Sequence, residues 1–348
     1  MCRIVVWWHA AIGIFHLDSP GVPCRPCKEP LSNGRHPVIQ MPTLSFSFFS
    51  RNDGRLAGSF LPTSALRHAF FVIVLCCWLS HAAATEHGEH DRHAATDSAS
   101  SSREGALAQD LPLADGGFQR VLYLPATTRM RGVMVMFPGG TGDIGIEKDT
   151  EIKHHDNFVV RTRDLWRAKG FGVVLVDALD RQSMRGLRST EAYADVTRRI
   201  LAFARERGGV PVWVLGTSQG SIAAMNAAAH DGPDEIAGLI LTESVSILGG
   251  SHETVFGAHP ERVRSAALVV ANQDDRCDVS PPGKARDIAQ SMRETHADVL
   301  VVRGGVKRSG DNCGSLTPHG YYGIEEAVVG SIAAWMDQAS SHANRKGS

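Results

Sequence analysis

The sequence lacks an excess of charge of either sign: 36 Lys and Arg stand against 37 Asp and Glu over 348 residues, a formal balance of −1. Proteins that grip nucleic acid do so with clustered cations facing phosphates, and this chain has no such basic footprint. Long apolar runs are missing too. The stretch Ala69–Leu79 has 11 residues, against the roughly 20 that a helix needs to cross a bilayer. Cysteine is scarce beyond residue 84, where only Cys277 and Cys313 remain of seven. Cys24-Arg25-Pro26-Cys27 has no second pair to complete a zinc site. His154-His155-Asp156 are adjacent rather than helically spaced, which reads as an exposed loop. No metal site and no cofactor is therefore expected.

What is present is organised in segments. Residues 1–65 mix tryptophans, prolines and Ser/Phe runs without periodicity. Leu66-Arg67-His68, the run Ala69–Leu79 and Ala82-Ala83-Ala84 then supply a basic residue, an apolar core and an Ala-x-Ala site, the parts of a secretory signal peptide. Such a segment belongs at an N-terminus. Residues 1–65 are accordingly read as sequence upstream of the true start, near Met41 or Leu66, or as a disordered extension. Residues 66–84 are the signal-peptide-like segment, which implies a secreted or periplasmic protein with no stable membrane span once it is cleaved. Residues 85–110, polar and small with His87, His90 and His93, cannot bury enough apolar surface to order themselves and read as a linker. The folded domain is expected over 111–340.

Within that domain apolar runs alternate with amphipathic segments. Strands are expected at Gln119–Leu124, Gly132–Phe137, Gly172–Val176, Val210–Leu215, Ile236–Thr242, Ala266–Ala271 and Val299–Val302. Most are continuous Val/Ile/Leu/Met runs, the pattern of parallel strands buried on both faces. Helical spacing marks Thr190–Arg207, with Tyr193, Val196, Ile200 and Ala204 on one face, and Ile324–Ala339. The alternation predicts a single α/β domain, a doubly wound, mostly parallel sheet flanked by helices.

The strand residues Pro211–Leu215 run into Gly216-Thr217-Ser218-Gln219-Gly220, and a small-residue, helix-prone stretch follows from Ser221. A sharp strand–turn–helix connection projects the serine above the sheet at the positive end of a helix, and glycines stand where a Cβ would collide. This segment resembles the nucleophile elbow of the α/β-hydrolase superfamily. The resemblance runs from about Phe118 to Ala339 and is nearest to compact secreted bacterial serine hydrolases without a large cap domain.

That resemblance implies Ser218 as nucleophile, with an acid and then a histidine later in the chain. Asp275, in Asn272–Asp278 after the strand Ala267–Ala271, best fits the acid. Asp274 and Asp278 are close neighbours, and Glu243, after the preceding strand, is an outside candidate. His319, between the last strand and the last helix, fits the base. His296 reads as part of a helix-like segment, and His252 and His259 belong to another loop. The oxyanion donors implied are the N–H of Gln219 and one from Pro138-Gly139-Gly140-Thr141, at Gly140 or Thr141. The family often has His-Gly where this chain has Pro138-Gly139, so the register stays open. As a phosphate cradle the loop is unconvincing: it has no Gly-Lys-Ser/Thr, and no G-x-G-x-x-G is read in it.

Cys277 lies two residues after the expected acid and Cys313 six before the expected base. An even pair in an exported chain is a disulfide candidate, and this one would clamp the two loops together. The stretch 243–264 is too short for a helical lid, which favours a small-molecule acyl substrate in an open site. Asp177, Asp180, Arg181, Arg185 and Arg188 read as solvated charge, or the arginines among them as a recognition group for an anionic acyl or carboxylate. The function implied is hydrolysis of an ester, amide or thioester through an acyl-enzyme. The rivals are an acyltransferase on the same triad and a non-catalytic binding protein that keeps the fold.

Overall fold

The computed structural model describes residues 105–232 and 235–346. The expected extension 1–65, the signal-like segment 66–84, the pair Cys24 and Cys27, and nearly all of the expected linker lie outside the described residues. Eight strands form one sheet: β1 Leu107–Pro112, β2 Phe118–Leu124, β3 Gly132–Phe137, β4 Phe171–Val176, β5 Val212–Thr217, β6 Gly238–Thr242, β7 Ala266–Asn272 and β8 Ala297–Val302. Their order across the sheet is β1-β2-β4-β3-β5-β6-β7-β8. The first two pairings, β1 with β2 and β2 with β4, are antiparallel, and the remaining five are parallel.

The expected doubly wound α/β sheet is the one found, and all seven expected strands are in it. The eighth, β1, is not among the expected strands, and its residues 107–110 fall within the expected linker. Its outer edge is open, so few of its residues are buried and it has no apolar run to betray it. Arg120 of β2 nonetheless pins it, with Nε and Nη2 donating to the two oxygens of Asp110 at 2.6 and 2.7 Å.

Among the described residues five helices accompany the sheet: α1 Phe158–Ala168, α2 Glu191–Arg205, α3 Gly220–His230, α4 Ala285–Ser291 and α5 Glu325–Lys346. Side chains alternate across each strand, so β3 sends Val133, Val135 and Phe137 to one face and Met134 and Met136 to the other. The first face packs on α2, α3 and α4 and the second on α1 and α5. Residues Gly220 to Ala229 of α3 are all buried. A helix apolar on every side belongs inside the protein, which explains the small-residue run after the serine turn. His296 lies in the turn before β8 and not in a helix, because α4 already ends at Ser291.

The winding sense reverses between β3 and β5. The chain passes from β3 outward to β4, then returns across β3 to lay down β5 on the other side. In open α/β sheets the crevice at the carboxyl ends of such a strand pair is where ligands bind. Here those ends open into the Pro138–Thr141 loop and the Ser218 turn.

Candidate active site

Ser218 follows β5 with φ of 52°, a left-handed conformation that costs a non-glycine residue of order 1–3 kcal/mol unless the surroundings enforce it. The enforcement is visible. Ser218 N–H donates to Thr242 O at 2.9 Å, while Ser218 O accepts from Ser221 N–H and Oγ–H at 3.0 and 2.6 Å. The flanking glycines are steric requirements: a Cβ on Gly216 would sit 2.2 Å from Gly220 O, and one on Gly220 would sit 2.1 Å from Phe137 O. Ser218 itself stays half-buried and reachable.

Its Oγ lies 2.9 Å from His319 Nε2, and His319 Nδ1 lies 2.8 Å from Asp275 Oδ2. Asp275 and His319 are only 2 % and 3 % exposed, so solvent screens this relay little. With Nδ1–H donating to the carboxylate, Nε2 faces Ser218 Oγ as an acceptor. Burial raises the Asp275 carboxyl, but the hydrogen bond and charge of His319, with Glu243 and the Cys277 N–H, outweigh it and hold the group below its usual range. Cys277 N–H donates to Asp275 Oδ1 at 2.8 Å.

Of the expected site residues, Ser218, Asp275 and His319 are thus brought together, and the other acids sort themselves. Asp274 Oδ2 accepts from Gly304 N–H at 2.8 Å, facing the loop after β8, and Asp278 is exposed. Glu243 is buried beside the relay. Sequence reading missed Ser280, whose Oγ lies 3.0 Å from Asp275 Oδ2 and 3.1 Å from His319 Nδ1. Its hydroxyl donates to the carboxylate and shares the Nδ1–H. A lone serine five residues past the acid carries no pattern that would have marked it.

The loop holding His319 is fastened from three sides. Asn272 Nδ2, at the end of β7, donates to Pro318 O and Gly304 O, both at 2.9 Å. Arg161 of α1 donates to Gly320 O at 2.6 Å and Ser315 O at 3.1 Å and pairs with Glu325 at 2.9 Å. Cys277 and Cys313 stand at bonding distance, with sulfurs 2.03 Å apart.

Gly139 touches the serine, since a Cβ there would lie 3.0 Å from Ser218 Cβ. The N–H groups of Gly139, Gly140, Thr141 and Gln219 donate to no other described residue. Arg188 backs this loop. Its Nη2 donates to Gly140 O at 3.1 Å and Pro138 O at 3.5 Å, and Nη1 to Gln219 Oε1 at 3.2 Å. A planar trans peptide sets N–H opposite C=O, so the Thr141 N–H is directed away from the guanidinium. Arg188 is 2 % exposed and has no carboxylate oxygen within 4.0 Å among the described residues, so the reading of it as solvated charge is corrected, whereas Arg181 and Arg185 are exposed. Burial lowers Arg188 to about 10. Glu253 ties the neighbouring loops, accepting from Gly186 and Ser189 N–H at 2.7 and 2.8 Å.

Gly140-Thr141-Gly142-Asp143-Ile144-Gly145 does spell G-x-G-x-x-G after a strand. No helix starts there, and the next begins at Phe158, so the helix N-terminus that receives a pyrophosphate is missing. Glu191, His230 and His259 also converge on the surface. That cluster already holds a cation: Arg262 Nη1 lies 3.2 Å from His230 Nε2 and 3.7 Å from Glu191 Oε1. Between β6 and β7 the chain makes only short 3₁₀ turns at Val255–Gly257 and Pro260–Arg262, with no lid helix among the described residues.

The sheet order and the serine turn define the α/β-hydrolase fold. No family model matches the chain, and no curated protein matches it in sequence. Solved structures similar to it include the lidless α/β serine hydrolase XC6422 from Xanthomonas campestris, at 13% identity and TM-score 0.45, covering 65% of this chain and 94% of that one. A soluble variant of the monoglyceride lipase from Saccharomyces cerevisiae, in complex with a substrate analogue, aligns at 13% identity and TM-score 0.47 over 67% and 94%. Dienelactone hydrolase from Anabaena variabilis aligns at 12% and 0.43 over 67% and 98%.

Proposed function

We propose that the chain is a serine hydrolase that cleaves an ester, or an amide or thioester, through an acyl-enzyme. The observation that carries this reading is the continuous relay Ser218 Oγ–His319 Nε2 and His319 Nδ1–Asp275 Oδ2, at 2.9 and 2.8 Å. Ser218 Oγ attacks the acyl carbon while its proton passes to His319 Nε2, and Asp275 stabilises the imidazolium. The tetrahedral oxyanion takes hydrogen bonds from the Gln219 N–H and from the Gly139–Thr141 amides. The proton on His319 then goes to the leaving group. Water, activated by the same imidazole, releases the acid and restores Ser218.

The open site favours small acyl substrates, and we place the mature protein in the periplasm or outside the cell on the signal-like segment and the cysteine pair. A fluorophosphonate probe tests the reading. Ser218 of the folded protein is expected to be labelled, and S218A to be inert. Labelling that survives S218A, or none at all, would overturn it.

A further inference from the structure

Glu243 is left over when the relay is assembled. It directly follows β6, is 1 % exposed and has φ of 44°. Its backbone is held by a 3.1 Å bond from its N–H to Val270 O, and its Oε1 accepts from Asn272 N–H at 2.7 Å. Its Oε2 is enclosed and accepts no hydrogen bond among the described residues. A carboxylate oxygen of Glu243 nevertheless lies within 4.8 Å of both Asp275 and His319.

Two carboxylates in one dry pocket cannot both be charged without heavy cost, and the usual settlement is one shared proton. The hydrogen bonds decide which acid keeps it. Asp275 receives Cys277 N–H, Ser280 Oγ–H and His319 Nδ1–H, so its charge is well supported. Glu243 receives one backbone N–H, and its second oxygen is an orphan as an acceptor. Placing the proton on Oε2 turns that orphan into a donor, and the carboxylate of Asp275 is the charged neighbour close to Glu243. Asp275, His319 and Tyr321 face Glu243. Asp275 favours the neutral acid, while the Tyr321 hydroxyl, which turned to Glu243 would favour its charge, donates to Val270 O at 3.1 Å.

We infer that Glu243 is a buried neutral carboxylic acid that donates a hydrogen bond to Asp275, a positioning residue that holds the charged acid in place under His319. The inference rests on the reading of Ser218, His319 and Asp275 as the catalytic relay. The direction of the Glu243 shift agrees with it: burial first, then the charge of Asp275, raises this carboxyl well above its ordinary value. The proton on Glu243 is a spectator throughout acyl transfer, so the proton taken from Ser218 stays on His319 and goes to the leaving group.

Infrared difference spectra of wild type against E243Q test this. The wild type is expected to show the carbonyl stretch of a protonated carboxyl at neutral pH, and E243Q to lose it. E243Q retains a donor and is expected to stay within about tenfold of wild-type kcat/KM, whereas E243L, without one, falls by more than about tenfold. E243L should also displace the acid limb of the kcat/KM profile, because the Asp275 charge beneath the base loses a donor. A loss of fold alone would not move that limb. Absence of the protonated band, or E243Q as damaged as D275N, would mean that Glu243 is ionised and overturns the inference. Fluorophosphonate labelling of wild type and E243Q reports separately on Ser218.

Discussion

Arg188 and Gln219 meet across the switch point of the sheet: Nη1 of the buried arginine donates to the side-chain oxygen of the residue after the serine, at 3.2 Å. The same guanidinium holds two carbonyls of the loop after β3. One side chain therefore ties together the two loops proposed to hold the oxyanion donors, and among the described residues it has no acidic partner within ion-pair distance.

From this, R188M should lower kcat by about 10- to 100-fold, somewhat less than removal of a direct oxyanion donor. KM should move far less. Stability should hardly suffer, because replacing a buried charge with an apolar side chain of similar length relieves desolvation. Steady-state kinetics with a chromogenic ester, beside a thermal melt, separates the two effects. A kcat equal to wild type would show that the loop keeps its shape without the guanidinium.

The relay should behave as a unit. S218A and H319Q are each expected to reduce kcat by about 10⁵–10⁶, and the double variant by no more than either, since each removes the same step. D275N should be milder, near 10⁴, because it leaves the imidazole present but in the wrong tautomer. Additive losses in the double variant would mean that the two side chains act independently.

The bond between Cys277 and Cys313 closes a segment of 36 residues that contains β8 and ends near the base. In the chain-entropy model a closure of that size contributes about 3–4 kcal/mol. C277S/C313S should lose about that much in urea unfolding, and its activity should fall further than the unfolded fraction explains, because Cys277 also presents its N–H to Asp275. Peptide mapping without reductant shows whether the bridge is present. Two free thiols in exported material would remove the basis for the prediction.

Much of this was legible in the sequence, for physical reasons. Strands buried on both faces write themselves as unbroken apolar runs, which is why β3 to β7 could be read directly. An elbow that brings Gly216 and Gly220 within touching distance of backbone demands those glycines and so leaves a motif. Edge strand β1 lacked a signal because its burial is slight and its anchor is an ion pair between Asp110 and Arg120. Arg188 was read as solvated charge because an arginine spent on main-chain carbonyls looks like any surface arginine in one dimension. Ser280 and the pairing of Glu243 with Asp275 depend on where three separate strand ends come together, and no local pattern records that.

The two buried acids should leave opposite marks on stability against pH. Asp275 is held below its ordinary value, so its contribution is full above that value and disappears as pH falls through the lowered one. Glu243 is held above its ordinary value of 4.5, so its contribution is full below that value and is lost as pH rises toward the raised one. Above the ordinary value the unfolded chain has released the Glu243 proton while the folded chain retains it, which makes stability fall with pH by up to about 1.4 kcal/mol per unit. E243Q has no proton to lose at this position. Its unfolding free energy relative to wild type should therefore rise steadily with pH above 4.5, and urea titrations at a series of pH values would show it. A difference that stays constant with pH would mean that the Glu243 proton is already gone in the folded protein.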